Sequence, residues 1–277
     1  MQAELSDRFI KMISRPKNLV LVAVFVSALA CAPAITGQDN LTPLQHEIEL
    51  QRQRLRSSEI EERRDALMKL SLMKRPEASR AAASALNDQE PVVRVTAAHA
   101  IVSLPSDEAA ALLIPLLKDK LEFVRREATY ALGQTTSRSA VAPLTDLLAN
   151  DKEASVRTAA AIALGQTKDD SAVPTLVQVL SGTSGKKKSG SRENEFVLRA
   201  AAQALGEIRN RAAVNVLITT LTNDAQSPDV RCAAATALGM IGDIQAIPPL
   251  KAAFESNDPY LSEAAHDAIR KLQSGKN

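Results

Sequence analysis

The chain has 277 residues, of which 45% are hydrophobic and only 3% aromatic, and its formal net charge is +2. So few aromatic side chains offer no stacking platform for nucleic acid, and two cysteines cannot build a disulfide-stapled fold. The same scarcity of large side chains indicates a core packed with alanine rather than with aromatic residues. Strand-like alternation and hairpin turns are not prominent, so we expect an all-α fold with almost no β-structure.

Residues 1–34 have the organisation of a secretory signal peptide or an N-terminal membrane anchor. Basic residues precede an apolar run over residues 19–30, and small residues follow it. A membrane-spanning helix needs about 20 apolar residues, so this run is short for an anchor. We therefore expect cleavage after Ala30 or Ala34, with an uncleaved anchor as the alternative.

Cys31 gives this segment a second interpretation, because Ala28-Leu29-Ala30-Cys31 resembles a bacterial lipobox, in which the cysteine is lipidated. The match departs from the usual pattern at positions 28 and 29. Met12 is an alternative start, since a compact basic region follows it. The sequence predicts an exported, periplasmic or cell-surface protein that contacts membrane only if this segment is uncleaved or lipidated.

Residues 35–56 are predicted to form an N-terminal capping helix. Thr42 is placed as the N-cap, a proline follows at the first helical position, and Gln45 completes a capping box. The helix is highly polar, as the outer face of a terminal repeat has to be.

Residues 57–277 repeat one pattern, which is clearest as V-R-T-A-A-A-I-A-L-G at Val156–Gly165. Its apolar positions recur every three or four residues, which predicts a helix, and each copy is followed by a second apolar stripe that predicts another. A helix pair of this size cannot bury its stripe alone, so the pairs are expected to stack. The leading positions of the copies are Glu62, Val93, Val124, Val156, Val197, Val230 and Leu261.

Charged residues also recur with the repeat. Aspartates stand five residues before the leading valine, and arginines stand one residue after it. We interpret them as structural, because such residues cap helix starts and pair across repeat junctions, although a ligand site is an alternative. The residues are Asp88, Asp119 and Asp151, with Arg94, Arg125, Arg157 and Arg231; the arginine moves to Arg199 in the fifth unit.

The combination of A-V-P-x-L-x-x-x-L with D-x-x-x-x-V-R-x-x-A-A-x-A-L-G resembles the short HEAT-like repeats named after phycobilisome lyases, over Ser57 to Leu272. The resemblance implies an α-solenoid of about seven helix pairs in a right-handed superhelix, whose second helices line a concave binding surface. It does not by itself imply a function.

One step of the repeat is longer because of a Gly/Ser-rich basic insertion at residues 181–195. A solvated loop is one interpretation of it. The alternative is a contact for an anionic partner through Lys186, Lys187, Lys188 and Arg192.

No catalytic or metal-binding motif is present. The three histidines, His46, His99 and His266, fall at different offsets and do not stack into a metal site. Deoxyhypusine hydroxylases hold iron with repeated His-Glu pairs, and this chain has such a pair only outside the repeats. The sequence therefore predicts that the chain is not an enzyme and holds no cofactor.

The function predicted from the sequence is an exported, non-enzymatic scaffold that binds another protein, and not nucleic acid, on its second helices. The alternative is an accessory subunit of an enzyme or cofactor-attachment system, lyase-like or chaperone-like. A nearly uncharged row one face away from the second-helix stripe is the predicted contact, with charged residues flanking it. The residues are Lys118, Asp146, Gln178, Thr219 and Glu255.

Overall fold

The computed structural model describes residues 41–182 and 193–274. The chain divides into two units, Met1–His46 and Glu47–Asn277, and nearly all described residues belong to the second. Within the described ranges all regular elements are helical and no β-strand occurs, which confirms the all-α prediction. None of the helices in those ranges is long and apolar enough to cross a membrane. The predicted signal segment lies outside them.

The helices follow one another as a capping helix and then alternating first and second helices of each repeat. The capping helix is α1, Pro43–Arg54. The first helices are α2 Ile60–Leu72, α4 Pro91–Ala100, α6 Glu122–Thr135, α8 Ala154–Thr167, α10 Glu195–Ile208, α12 Pro228–Ile241 and α14 Pro259–Ser274. The second helices are α3 Pro76–Ala82, α5 Ser106–Leu113, α7 Val141–Asn150, α9 Val173–Leu180, α11 Val214–Thr222 and α13 Ile247–Phe254. In the described residues the seventh unit consists of its first helix alone.

The capping box at the start of α1 forms as predicted. The Thr42 hydroxyl oxygen accepts from the Gln45 backbone N–H at 3.3 Å, and the Gln45 side-chain oxygen accepts from the Thr42 N–H at 2.9 Å. The two bonds satisfy backbone donors that the first turn of a helix leaves free. Further along α1, Ile48 is buried and joins the apolar core of the repeats.

The first helices stack on one another along the array, and each second helix packs against them. On α8 the leading Val156, with Ala160 and Leu164, is completely buried, as the helical pattern predicts. On α9 the predicted stripe shifts slightly, because Val179 is buried while Val177 is only half-buried. Alanine, leucine and valine form most of this core, and none of the described aromatic side chains is buried.

The glycine after each Ala-Leu pair is required by the approach of the next first helix. A Cβ atom placed on Gly133 would lie 2.8 Å from the Cα of Ala163, and one on Gly239 would lie 2.8 Å from the Cα of Ala268. These glycines are inside the helices and have ordinary backbone angles. The left-handed residue that ends the helix comes three positions later, at Thr136 for α6.

Candidate binding surface

The arginines and aspartates of the repeat form a structural ladder between successive units. Arg94 Nε lies 2.8 Å from Asp119 Oδ2, and Arg125 repeats the contact with Asp151. Arg63 and Asp88 make the same pair one unit earlier. These side chains are 8–14% exposed, so water screens the pairs little. The prediction that these charges pair across repeat junctions is confirmed for Arg94 and Arg125, whereas Arg231 pairs with the exposed Asp224.

Each aspartate of the ladder serves two units at once. Asp119 Oδ1 accepts from the Leu121 backbone N–H at 2.9 Å, in the turn that precedes α6. The carbonyl oxygen of Asp119 accepts from Arg125 Nη1 at 2.9 Å. The side-chain hydrogen bonds to Asp151 raise the pKa of the Arg125 guanidinium above its ordinary value. The paired arginine and aspartate side chains of the ladder therefore hold successive repeats in register.

The ladder changes where the insertion joins the array. Arg157 Nη2 pairs with Glu193 at 2.8 Å, while its buried Nε has no hydrogen-bond partner. In the next unit Leu198 occupies the arginine position and is buried, and Arg199 lies on the surface. At this junction Arg157 therefore makes one hydrogen bond to a carboxylate, where Arg125 makes two.

The row predicted from the sequence lies on the second-helix layer. Asp146, Gln178 and Thr219 are exposed on α7, α9 and α11. Lys118 is exposed at the end of the turn after α5, and Glu255 directly follows α13. Their exposure agrees with the helical pattern, and a role in partner binding stays a prediction.

Two other sets of predicted site residues fall outside the described ranges. They are the basic residues of the insertion, Lys186, Lys187, Lys188 and Arg192, and the candidate lipidation site Cys31. Their roles also stay predictions.

The outward face of the first helices is where the aromatic residues collect. The described chain has five aromatic side chains, and four of them, Phe123, Tyr130, Phe196 and Tyr260, lie on first helices. Phe196 is 52% exposed and Tyr260 78%, while Phe123 and Tyr130 are half-buried. Exposed aromatic side chains are enriched at protein interfaces, so this layer carries the stronger candidate site.

We define the central aromatic face as Phe123, Tyr130, Thr158, Ile162 and Phe196, on α6, α8 and α10. Phe123 and Phe196 stand one position before the leading valine of their repeats, Thr158 two positions after it, and Tyr130 and Ile162 six positions after it. These offsets fall on the same side of a helix, so the five residues share one side of the stack of first helices. None of the residues that α8 contributes to this side is charged. The face therefore has an uncharged centre.

Charged residues surround the central aromatic face and pair with one another. Arg126 contacts Glu122 at 3.3 Å and Glu127 at 3.1 Å. On the other side, the Arg199 guanidinium lies 5.4 Å from the Phe196 ring centroid, within the range of a cation–π contact, and 3.4 Å from a carboxylate oxygen of Asp229. An apolar centre with a polar rim is the usual anatomy of a protein–protein interface.

The sequence contains a signal for the central aromatic face that the predicted row of site residues does not include. Phe123, Phe196 and Tyr260 each stand immediately before a leading valine or leucine. Because three aromatic residues occupy the same position in their repeats, they are expected to lie on the same surface of the stack.

The described residues contain no group of three or more His, Cys, Asp or Glu side chains placed to hold a metal ion. His99 lies 3.3 Å from Glu127, and both residues are on first helices. His266, on the first helix α14, contacts the ring of Phe254 on the second helix α13. The described residues therefore do not fit an iron site built from repeated His-Glu pairs. Cys232 is a free, half-buried thiol whose pKa is raised mainly by burial.

Comparison with known proteins identifies the repeats. A family model described as HEAT repeats matches residues 48–133, 122–187 and 190–270. The bilin biosynthesis protein PecE of Mastigocladus laminosus is 40% identical over 75 residues, 27% of this chain and 28% of that protein. Deoxyhypusine hydroxylase-B of Oryza sativa subsp. japonica is 37% identical over 78 residues, 27% of this chain and 26% of that one. The chain thus spans about a quarter of the curated relatives it matches.

A solved structure supports the same fold. The complex of CpcE and CpcF of phycocyanin lyase from Nostoc sp. PCC7120 matches with a TM-score of 0.50 and 22% identity, covering 88% of this chain and 91% of that one. The predicted α-solenoid of HEAT-like repeats of the lyase type is confirmed. The expectation that the chain is not an enzyme is wrong, because its relatives are a bilin biosynthesis protein and a hydroxylase.

Proposed function

This chain belongs to the HEAT-repeat family, and we propose that it is a lyase-like accessory subunit of an enzyme or cofactor-attachment system. In this role it holds a partner protein on the central aromatic face of its first helices. The observation that carries the proposal is that four of the five described aromatic side chains lie on the first-helix layer, with Phe196 52% exposed, while none of the described aromatic side chains is buried in the core.

The energetic argument starts from Phe196. Fully burying a phenylalanine side chain stabilises a complex by about 1.5–3 kcal/mol, and Phe196 is half exposed in the free chain. Aromatic and arginine side chains near the centre of an interface contribute most of its binding energy. Phe196 is such an aromatic side chain, and the guanidinium of Arg199 at the rim lies over its ring.

The rigidity of the stack also favours binding. The close packing of α6, α8 and α10 through Gly133 and Gly165 fixes the spacing of their outward residues. A preformed surface loses little conformational entropy when a partner docks. The half-buried Phe123, Tyr130 and Ile162 are already held against this layer.

The relatives support the accessory role over a free-standing scaffold. One is named a bilin biosynthesis protein, and the solved lyase structure is a complex of two different chains. A subunit that presents a partner to a second chain needs a binding face rather than a complete catalytic constellation. The uncharged centre of the central aromatic face suits a protein surface.

The test is to isolate the chain from its native host under gentle conditions and to assay the associated protein for enzymatic or cofactor-attachment activity. We expect a bound partner and activity that depends on adding the chain back. Phe196→Ala should reduce reconstitution, whereas Phe254→Ala, an exposed aromatic on a second helix, should not. A chain that purifies without a partner and stimulates no activity of its host extract would contradict the proposal.

A further inference from the structure

A cavity lies at the C-terminal ends of four successive first helices. Its volume is 560 Å³, and the residues after the repeat glycines line it. Gln134, Gln166, Glu207 and Met240 supply one residue each from α6, α8, α10 and α12. We call this cavity the helix-end groove. It lies beside the central aromatic face and shares none of its residues.

Two positively charged residues on neighbouring repeats line the helix-end groove. Lys168 and Arg209 stand two positions after Gln166 and Glu207, at the left-handed residues that end α8 and α10. Both are exposed, and neither forms a salt bridge with any residue in the described ranges. The equivalent position on α6 is the uncharged Thr136. Two cations on neighbouring repeats are thus available to a ligand.

The spacing of these cations selects the ligand. Packed helices lie about 8–10 Å apart, with the lower end reached when small residues meet. A polyproline II segment turns once in three residues and rises about 3.1 Å per residue, so side chains three positions apart lie about 9 Å apart on one side. Successive turns of such a segment would therefore meet successive repeats.

We propose that the helix-end groove binds an extended acidic peptide in the polyproline II conformation. Acidic residues three positions apart pair with Lys168 and Arg209, one on each repeat. This inference goes beyond the proposed function and does not depend on the central aromatic face.

The uncharged and acidic lining residues complement the peptide backbone. Side-chain amides of Gln134 and Gln166 both donate and accept hydrogen bonds, and the Glu207 carboxylate accepts them. A polyproline II backbone leaves its N–H and C=O groups free for such partners. Glu207 stands between Lys168 and Arg209 in sequence, and its negative charge disfavours a peptide whose acidic residues are adjacent. A peptide with evenly spaced acidic residues therefore fits the helix-end groove better.

The test uses a fluorescein-labelled peptide of sequence (Asp-Ala-Pro)3 and measures its anisotropy with the intact purified chain. We expect saturable binding that weakens as salt is raised. A peptide of the same composition with its three aspartates adjacent should bind more weakly. The double variant Lys168→Gln, Arg209→Gln should lose about tenfold in affinity, the scale of two exposed ion pairs.

The matched control is Arg138→Gln with Arg211→Gln. These arginines are 91% and 79% exposed in turns nearby, and they do not line the groove. The control should bind the peptide as the unmodified chain does, and so should Phe196→Ala, which tests only the central aromatic face. The proposal is overturned if the peptide does not bind, if the adjacent-aspartate peptide binds equally well, or if the control loses as much affinity as the groove variant.

Discussion

Arg125 and Asp151 join two successive repeats through a two-point contact, with Nε to Oδ2 at 2.8 Å and Nη2 to Oδ1 at 3.1 Å. Each side chain is only 8% exposed. Asp151 also accepts from the Glu153 backbone N–H at 2.9 Å, and its carbonyl accepts from Arg157 at 2.7 Å. Asp151 thus joins two units through its side chain and orders the turn that precedes α8.

Replacing Asp151 by alanine should therefore be costly. Removal of one partner leaves the Arg125 guanidinium buried without its counter-charge, and we expect a loss of about 3 kcal/mol in the free energy of unfolding. Urea denaturation followed by circular dichroism measures it. The control is Asp229→Ala, since Asp229 is 74% exposed and pairs with Arg199 at the surface; we expect a change below about 0.5 kcal/mol. Equal losses for the two variants would contradict the assignment of the ladder.

Asp169 gives a prediction for pH. Its carboxylate accepts from the Ser171 hydroxyl at 2.7 Å and the Ser171 backbone N–H at 2.9 Å, and these bonds lower the pKa of Asp169. Because the pKa of Asp169 is lower in the folded chain than in the unfolded chain, where it is about 4, these bonds stabilise the folded chain fully at pH values above about 4. The stabilisation is lost as the pH falls through the pKa of Asp169 in the folded chain. Asp169→Ala should cost about 1 kcal/mol at pH 7. The gap to the unmodified chain should narrow below about pH 4, as denaturation at several pH values would show; a constant gap would contradict the argument.

The helical glycines give a prediction of opposite sign to the usual rule. Glycine to alanine inside a helix ordinarily stabilises by about 0.5–1 kcal/mol. A Cβ on Gly206 would lie 2.8 Å from the Cα of Ala237, so Gly206→Ala should instead destabilise by about 1–3 kcal/mol. Ala234→Leu should do the same, because Ala234 is completely buried. Gln203→Ala, at an exposed position of the same helix as Gly206, is the control, and a stabilised Gly206→Ala would refute the close-packing argument.

Much of the fold followed from the sequence because its period is directly visible. The helix pairs and the Arg–Asp ladder depend on contacts between equivalent positions of the repeat, and the capping box at Thr42 depends on a local contact three residues along the chain. Sequence spacing identified the buried stripe, but it could not decide which outward layer carries a binding site. The contact between Phe196 and Arg199 and the unpartnered Nε of Arg157 are both found only in the structure. Such departures from the repeat depend on local geometry that the pattern does not contain.

Export of the chain is a separate prediction about residues that the structure does not describe. Mass spectrometry of protein isolated from its native host should find an N-terminus between Cys31 and Gln38, with an added lipid mass if Cys31 is modified. An intact Met1 or Met12 terminus in a cytoplasmic fraction would contradict export.

The most direct test of the central claim compares the two layers of the stack for affinity toward the isolated partner. Titration calorimetry would measure Tyr130→Ala with Phe196→Ala on the first helices, and Gln178→Arg with Thr219→Arg on the second. We predict that the aromatic pair weakens partner binding by more than about tenfold, as loss of interface hot spots does, while the arginine pair leaves it within about twofold. The reverse result, with binding lost on the second helices and kept on the first, would contradict the account.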